Sequence, residues 1–156
     1  MKQTTLCYIE QGHRYLMLHR TRKAGDENHD KWIGIGGHIE PGETPLDCIL
    51  RECREETGLT LIAPQYRGIV HFRSDVWPDE DMHLFTADRF DGEMTECDEG
   101  DLAWIDKDRL LTLTLWEGDK IFLRLLDARA DFFELTLRYR GEALASATLD
   151  GVALEH

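Results

Sequence analysis

Residues 36–59 read GGHIEPGETPLDCILRECREETGL and place glutamates at 40, 43, 52, 55 and 56 of a chain that is already acidic. The local signals for a helix are complete. Thr44 precedes Pro45, which suits the first helical position, and Asp47 follows Thr44 by three residues as a variant of the capping box. Gly58 supplies the C-terminal stop. The spacing predicts a helix over 45–57. On it Glu52, Glu55 and Glu56 stand at i, i+3 and i+4, so their carboxylates share a face, while Leu46, Ile49 and Cys53 share another that would pack inward.

Like charges at that spacing weaken an isolated helix by about 0.2–0.5 kcal/mol per pair, so something must compensate. One account is a solvated acidic face. The other is a hard-cation site, in which several carboxylate oxygens hold Mg²⁺ or Mn²⁺.

The surroundings decide between them. The stretch runs Gly37, five residues, Glu43, seven residues, Arg51-Glu52, Cys53, one residue, Glu55-Glu56, one residue, Gly58-Leu59. It resembles the Nudix hydrolase signature over its full length, MutT-type, and a chance match to its fixed positions is on the order of 10⁻⁷ at average residue frequencies. The resemblance implies an α/β fold in which a mixed central sheet lies between helices. It further implies that Glu52 and Glu56 ligate the cation, that Glu55 is a ligand or the water-activating base, and that the Gly37 carbonyl is another ligand. Glu43 pairing with Arg51 would brace loop against helix. Glu99, in the loop before a later strand, matches one further catalytic or metal-binding glutamate of MutT-type members. Cys53 departs from the usual aliphatic residue, but a free thiol packs like a small hydrophobe.

Composition bounds the rest. The 156 residues suit one domain, placed at 1–153, with 42% hydrophobic residues for its core. Residues 154–156 resemble the stump of an expression tag. A net charge of −13 argues against nucleic acid and anionic membranes as partners, and a phosphate substrate would then need a metal ion. The four cysteines form no Cys-x-x-Cys pair, no secretory leader is evident, and no apolar run approaches the ~20 residues of a bilayer span. A cytoplasmic enzyme, monomeric or homodimeric, is expected.

Strands are expected at 4–9 and 15–19 around a turn, then at 66–72, 82–87 and 102–105, with a helix over 121–129 and a terminal hairpin of 132–139 and 143–149. Residues 20–31 are polar and charged and read as an exposed loop suited to a lid. Trp32 and Trp104 read as core residues, and His71 and His83, alternating with apolar residues, as strand packing. No set of histidines has zinc spacing.

Substrate identity lies outside the signature. Residues 32–37 together with Trp116-Glu117-Gly118-Asp119 resemble the branch that hydrolyses oxidised purine nucleoside triphosphates, the 8-oxo-dGTP diphosphatases. In that branch a tryptophan matching Trp116 stacks on the base and an aspartate matching Asp119 bonds the purine edge; without that context Trp116 reads equally as a core aromatic at a helix start. Ile33 stands where a base-reading asparagine would be, and Gly118 replaces one of two adjacent aspartates. His38, beside the glycine turn, can touch phosphate. The leading expectation is Mg²⁺-dependent hydrolysis of a nucleoside triphosphate to monophosphate and pyrophosphate. Hydrolysis of a nucleotide sugar or dinucleoside polyphosphate is the enzymatic alternative. A non-catalytic ligand-sensing module is a third, disfavoured by the intact glutamates.

Overall fold

The computed structural model describes residues 1–21 and 26–155. In chain order its strands are β1 (Lys2–Gln11), β2 (Arg14–Arg20), β3 (Trp32–Ile33), β4 (Thr60–Leu61), β5 (Gln65–Ser74), β6 (Glu80–Ala87), β7 (Phe90–Asp91), β8 (Gly100–Asp106), β9 (Phe133–Arg140), β10 (Ala143–Leu149) and β11 (Val152–Leu154). The helices are α1 (Pro45–Thr57) and α2 (Glu117–Asp127), with a 3₁₀ turn at Lys107–Thr112.

A strand covered on both faces loses its polar alternation and reads as a continuous apolar run. β1 is such a strand, buried from Thr4 to Ile9. Its residues divide between two cores. Cys7 and Ile9 join Leu16, Leu18, Ile35 and Phe85 beneath Ile49 and Cys53 of α1, whereas Leu6 and Tyr8 join Tyr15, Met17, Leu135 and Leu137 against Phe122, Leu123 and Leu126 of α2. The result is the expected layering of a mixed sheet between helices. Its main path runs β11-β10-β9-β5-β6-β1-β2-β3, with β8 also on β2. β1 to β6 and β5 to β9 are parallel, and the other pairs antiparallel.

One departure from regular pairing positions the functional loop. β2 pairs with β1 only between Ile9↔Leu16 and Gln11↔Arg14, then follows β8 as far as Arg20↔Gly100. The backbone left vacant on β1 is taken up by the loop before α1. Thr5 N–H donates to Gly37 O (2.9 Å), Cys7 and Ile35 exchange two bonds, and Ile39 N–H donates to Gln3 O (3.0 Å). Gly36 is required by this approach, since a Cβ there would stand 1.8 Å from the Thr5 carbonyl oxygen.

α1 covers the expected residues, and both halves of its capping box form. Its inward face differs. Leu46 is 44% exposed, while Ile49, Cys53 and Glu56, at i, i+4 and i+7, are buried. In the first turn Cys48 is the residue that meets the sheet, 3.2 Å from Thr5 Oγ1, and Leu46 points away from it. α2 begins at Glu117 rather than residue 121 because Trp116 and Asp119 face the fold instead of solvent. Trp32 and Trp104 are half-buried at the core margins, Trp32 stacked on His19 and Trp104 on Phe90. His71 and His83 find polar partners, Asp81 and Gln3, in place of apolar packing. Leu154, set aside by the sequence reading, pairs with Ala147 in β11, and residue 156 lies outside the described residues.

Thr44→Ala removes the Thr44 Oγ1 acceptor for the Asp47 N–H at an exposed position and leaves the backbone N–H of residue 44 bonded to Asp47, so a loss of about 1 kcal/mol is expected in urea unfolding, with an unchanged m-value. An unchanged midpoint would show that α1 is fixed by packing alone.

Candidate active site

The loop entering α1 is tied to the helix by one arginine. Arg51 Nε and Nη2 bond the two oxygens of Glu43 at 2.7 and 2.9 Å, a bidentate pair, and Nη2 also donates to the His38 carbonyl (3.1 Å). That hydrogen bonding holds the Glu43 carboxyl down at about 2. The third nitrogen, Nη1, donates to Glu52 (2.8 Å) and Glu55 (3.3 Å). The expected brace is therefore formed, and the same guanidinium gathers the carboxylates of the helix.

Those carboxylates do not share one environment. Glu55 points to solvent, with its side chain 59% exposed, and Arg51 is its only partner among the described residues. Glu52 is half-buried against Gly37, where a Cβ would meet its carboxyl carbon at 2.5 Å, and burial pushes its carboxyl above the usual range. Glu56 is buried. It accepts from the Gly36 N–H (3.1 Å) and hydrogen-bonds to Glu99, whose other contact is Arg20 Nη1 at 3.0 Å. Burial first, and then Glu99 and Glu52, push the Glu56 carboxyl up to about 10. Without a cation, Glu56 keeps a proton and shares a hydrogen bond with Glu99.

This end opens into a cleft of about 650 Å³ bordered by Gly36, Gly37, His38, Glu52 and Glu99. Its other end is lined by Ile33, Phe72, Trp77, Met82, Trp116 and Asp119. Trp116 Nε1–H donates to Asn28 Oδ1 (2.8 Å), and its ring meets Phe72 and Tyr139 edge-on. Asp119, in the first turn of α2, is 6% exposed, makes no side-chain hydrogen bond among the described residues, and is pushed up to about 8 by burial and then by Glu80. Gly118 is explained by contact: a Cβ would stand 2.4 Å from Leu137 Cδ1, and its N–H donates to the Tyr139 hydroxyl (2.7 Å). An aspartate there would collide with the core.

The structure thus brings Glu52, Glu56 and Glu99 together and puts Trp116, Asp119, Ile33 and His38 on the same cleft, while Glu55 stands outside. The Gly37 carbonyl accepts from the Thr5 N–H (2.9 Å) and lies 3.4 Å from the Thr5 hydroxyl, while Gly37 itself packs against the Glu52 carboxyl. A correction concerns residues 20–31. Residues 22–25 lie outside the described residues, but Arg20 binds Asp26 and Glu99, Asn28 caps Trp116, and Lys31 is buried with its ammonium over the Trp116 ring. Sequence reasoning also missed Lys2, Thr4, Glu27 and Glu80, which line the same cleft. A separate group, His13, Asp106 and Asp108, meets at the far end of β2, where it is satisfied as an exposed ion pair.

The NUDIX domain family matches residues 2–126, and the chain belongs to that family of hydrolases, which act on phosphorus-containing anhydrides with a divalent metal. Over 96% of its length it is 30% identical to the uncharacterized Nudix hydrolase YvcI of Bacillus subtilis, covering 95% of that protein. It is 33% identical to the oxidized purine nucleoside triphosphate hydrolase of Danio rerio, over 80% of this chain and 79% of that one. A crystal structure of a mutator MutT protein from Bacillus halodurans superposes with a TM-score of 0.85 at 29% identity, covering 96% of this chain and 98% of that one.

The residues present fit the metal. Three carboxyl groups converge on the cleft end with one arginine opposite, and an all-oxygen donor set suits a hard dication. Because the folded pKa of Glu56, about 10, lies far above the ~4.3 of an unfolded glutamate, folding takes up a proton. The associated stability is complete below about pH 4 and is lost as pH rises toward 10. Asp119 adds a second loss that runs through about 8. In chelator the melting temperature is expected to fall between pH 5 and 9, and Glu56→Gln to shrink that fall; equal slopes in both proteins would remove the buried proton from Glu56.

Proposed function

We propose that the protein hydrolyses purine nucleoside triphosphates, including oxidised ones, to the monophosphate and pyrophosphate, with Mg²⁺ bound by Glu52, Glu56 and Glu99. The observation that carries this reading is the continuity of one cleft from the carboxylate cluster to Trp116 and Asp119. The similarity to oxidized purine nucleoside triphosphate hydrolases supports it. When bound, the cation would neutralise phosphate charge and lower the pKa of a coordinated water.

The protein's own groups divide the remaining work. Glu56 would give up its proton to solvent on binding a cation, and Glu99, beside it and paired with Arg20, is placed to take a proton from the attacking water. Attack of water on the β-phosphorus breaks its bond to the bridging oxygen, which leaves with the α-phosphate. Glu55 is a less suitable base in this arrangement, since it is solvated and held by Arg51. Arg51 keeps Glu52 and the 36–43 loop in register, so it positions the site without touching substrate. His38 stands exposed at the phosphate end. At the other end the Trp116 ring offers a stacking surface, and the Asp119 carboxyl, protonated near neutrality, can donate as well as accept at a base edge. Ile33 contributes shape alone. The four buried, unbridged thiols suit a reducing cytoplasm.

The test is kcat/KM for 8-oxo-dGTP, dGTP and dCTP with Mg²⁺ in wild type, Glu56→Gln, Trp116→Ala and Asp119→Ala. Glu56→Gln should lower turnover on all three by at least about 100-fold while the fold persists. Trp116→Ala and Asp119→Ala should impair the purines selectively, by about 10- to 150-fold for a lost bond to a charged or strongly polar acceptor. Wild-type values favouring dCTP, or near-normal turnover by Glu56→Gln, would refute the assignment.

A further inference from the structure

Among the described residues, the Trp116 end of the cleft carries three carboxyl groups, and the cations beside them, Lys2 and Lys31, already have carboxylate partners. Glu80, the first residue of β6, is pinned from two sides: Thr4 Oγ1–H donates to its Oε2 at 2.7 Å, and Lys2 Nζ stands 3.5 Å from its Oε1. Lys2 also donates to Glu27 Oε1 at 3.2 Å, while Glu27 Oε2 is buried with no partner among the described residues. Asp119, the third carboxyl group, is buried against the same space with no side-chain hydrogen bond among the described residues. Among the described residues the Lys2 ammonium therefore serves two carboxylates, and the third carboxyl feels Lys31 without a hydrogen bond.

Acceptors left without donors need them from a ligand, because a buried polar group without a partner is costly. The walls between them, Phe72, Trp77, Met82 and Trp116, are aromatic and thioether surfaces that fit a flat ring. Among nucleobases, guanine carries N1–H and an amino group on one edge, and its 8-oxo form adds N7–H on the other. Adenine and cytosine offer one amino group next to a bare acceptor nitrogen, which a carboxylate repels. We infer that Glu80, clamped by Thr4 and Lys2, is a specificity-determining residue that with Glu27 and Asp119 makes the cleft select guanine-type purines through their N–H donors. The inference rests on the proposed nucleoside triphosphatase activity and gives the base end the polar contacts that Ile33 cannot.

Thr4 and Lys2 lie in the first turn-length of β1, so the reading groups are fixed by the central strand and not by a loop. Glu80→Gln keeps the length and the acceptor for Thr4 but turns an amide N–H₂ toward the base, where it would meet another donor. Glu27→Gln does the same at the second position, on a segment that carries no strand.

The experiment is kcat/KM for 8-oxo-dGTP, dGTP, dATP and dCTP with Mg²⁺ in wild type, Glu80→Gln and Glu27→Gln, with the melting temperature of each. Both variants are expected to lose about 10- to 100-fold more on the two guanine nucleotides than on dATP and dCTP, carried by KM, at a melting temperature near that of wild type. Equal losses on all four nucleotides, or no loss in either variant, would overturn the role of Glu80 and leave the triphosphatase activity standing. If wild type hydrolysed none of the four, the proposed activity would fail and the inference with it.

Discussion

Burial of Glu56 beside Glu99 and Glu52 is the constraint on which the rest of the site depends. Three carboxyl groups cannot all ionise in a space closed by β1 and the 36–43 loop, and burial, followed by Glu99 and Glu52, pushes Glu56 to about 10. The strain is contained by geometry elsewhere. Arg51 fixes the loop through Glu43 and draws Glu52 to one side, Arg20 faces Glu99, and Gly36 N–H caps Glu56. The cluster is thus kept assembled at a cost to stability, which is the pattern of a functional group and not of a solvated helix face.

The sheet supplies the place for it. By leaving β1 after Leu16, β2 opens a gap that the glycine loop fills, and it carries Arg20 to the side of Glu99. The same opening sets the carboxylates at one end of a cleft whose other end is walled by α2 and β5. A chain of net charge −13 repels a free polyphosphate at long range. Substrate charge is tolerated only where cations stand, so metal binding and substrate binding are coupled by electrostatics from the outset.

Much of this was legible in residues 36–59, because caps, glycine spacing and i, i+3, i+4 charges act locally. The layering was legible too, through the resemblance of that stretch to the Nudix signature. What the sequence concealed was long-range. Nothing local distinguishes Glu56, which turns inward, from Glu55, which turns out, or tells that Cys48 and not Leu46 would meet the sheet in the first turn. Residues 26–31 looked exposed because the partners of Asn28 and Lys31, Trp116 and Glu142, are far along the chain. Glu80 and Lys2 sat in strand positions where a charge ordinarily marks the solvent face, and only the parallel register Lys2↔Glu80 places them side by side.

The most direct test of the carboxylate cluster is proton release on metal binding. Mg²⁺ would be titrated calorimetrically into the protein at pH 7.5, without nucleotide, in two buffers of different ionisation enthalpy. Binding with release of about one proton, lost on Glu56→Gln, is the expected result, because the cation must displace the proton that Glu56 holds. Binding without proton release, or release that persists in Glu56→Gln, would contradict the placement of the cation at this buried pair.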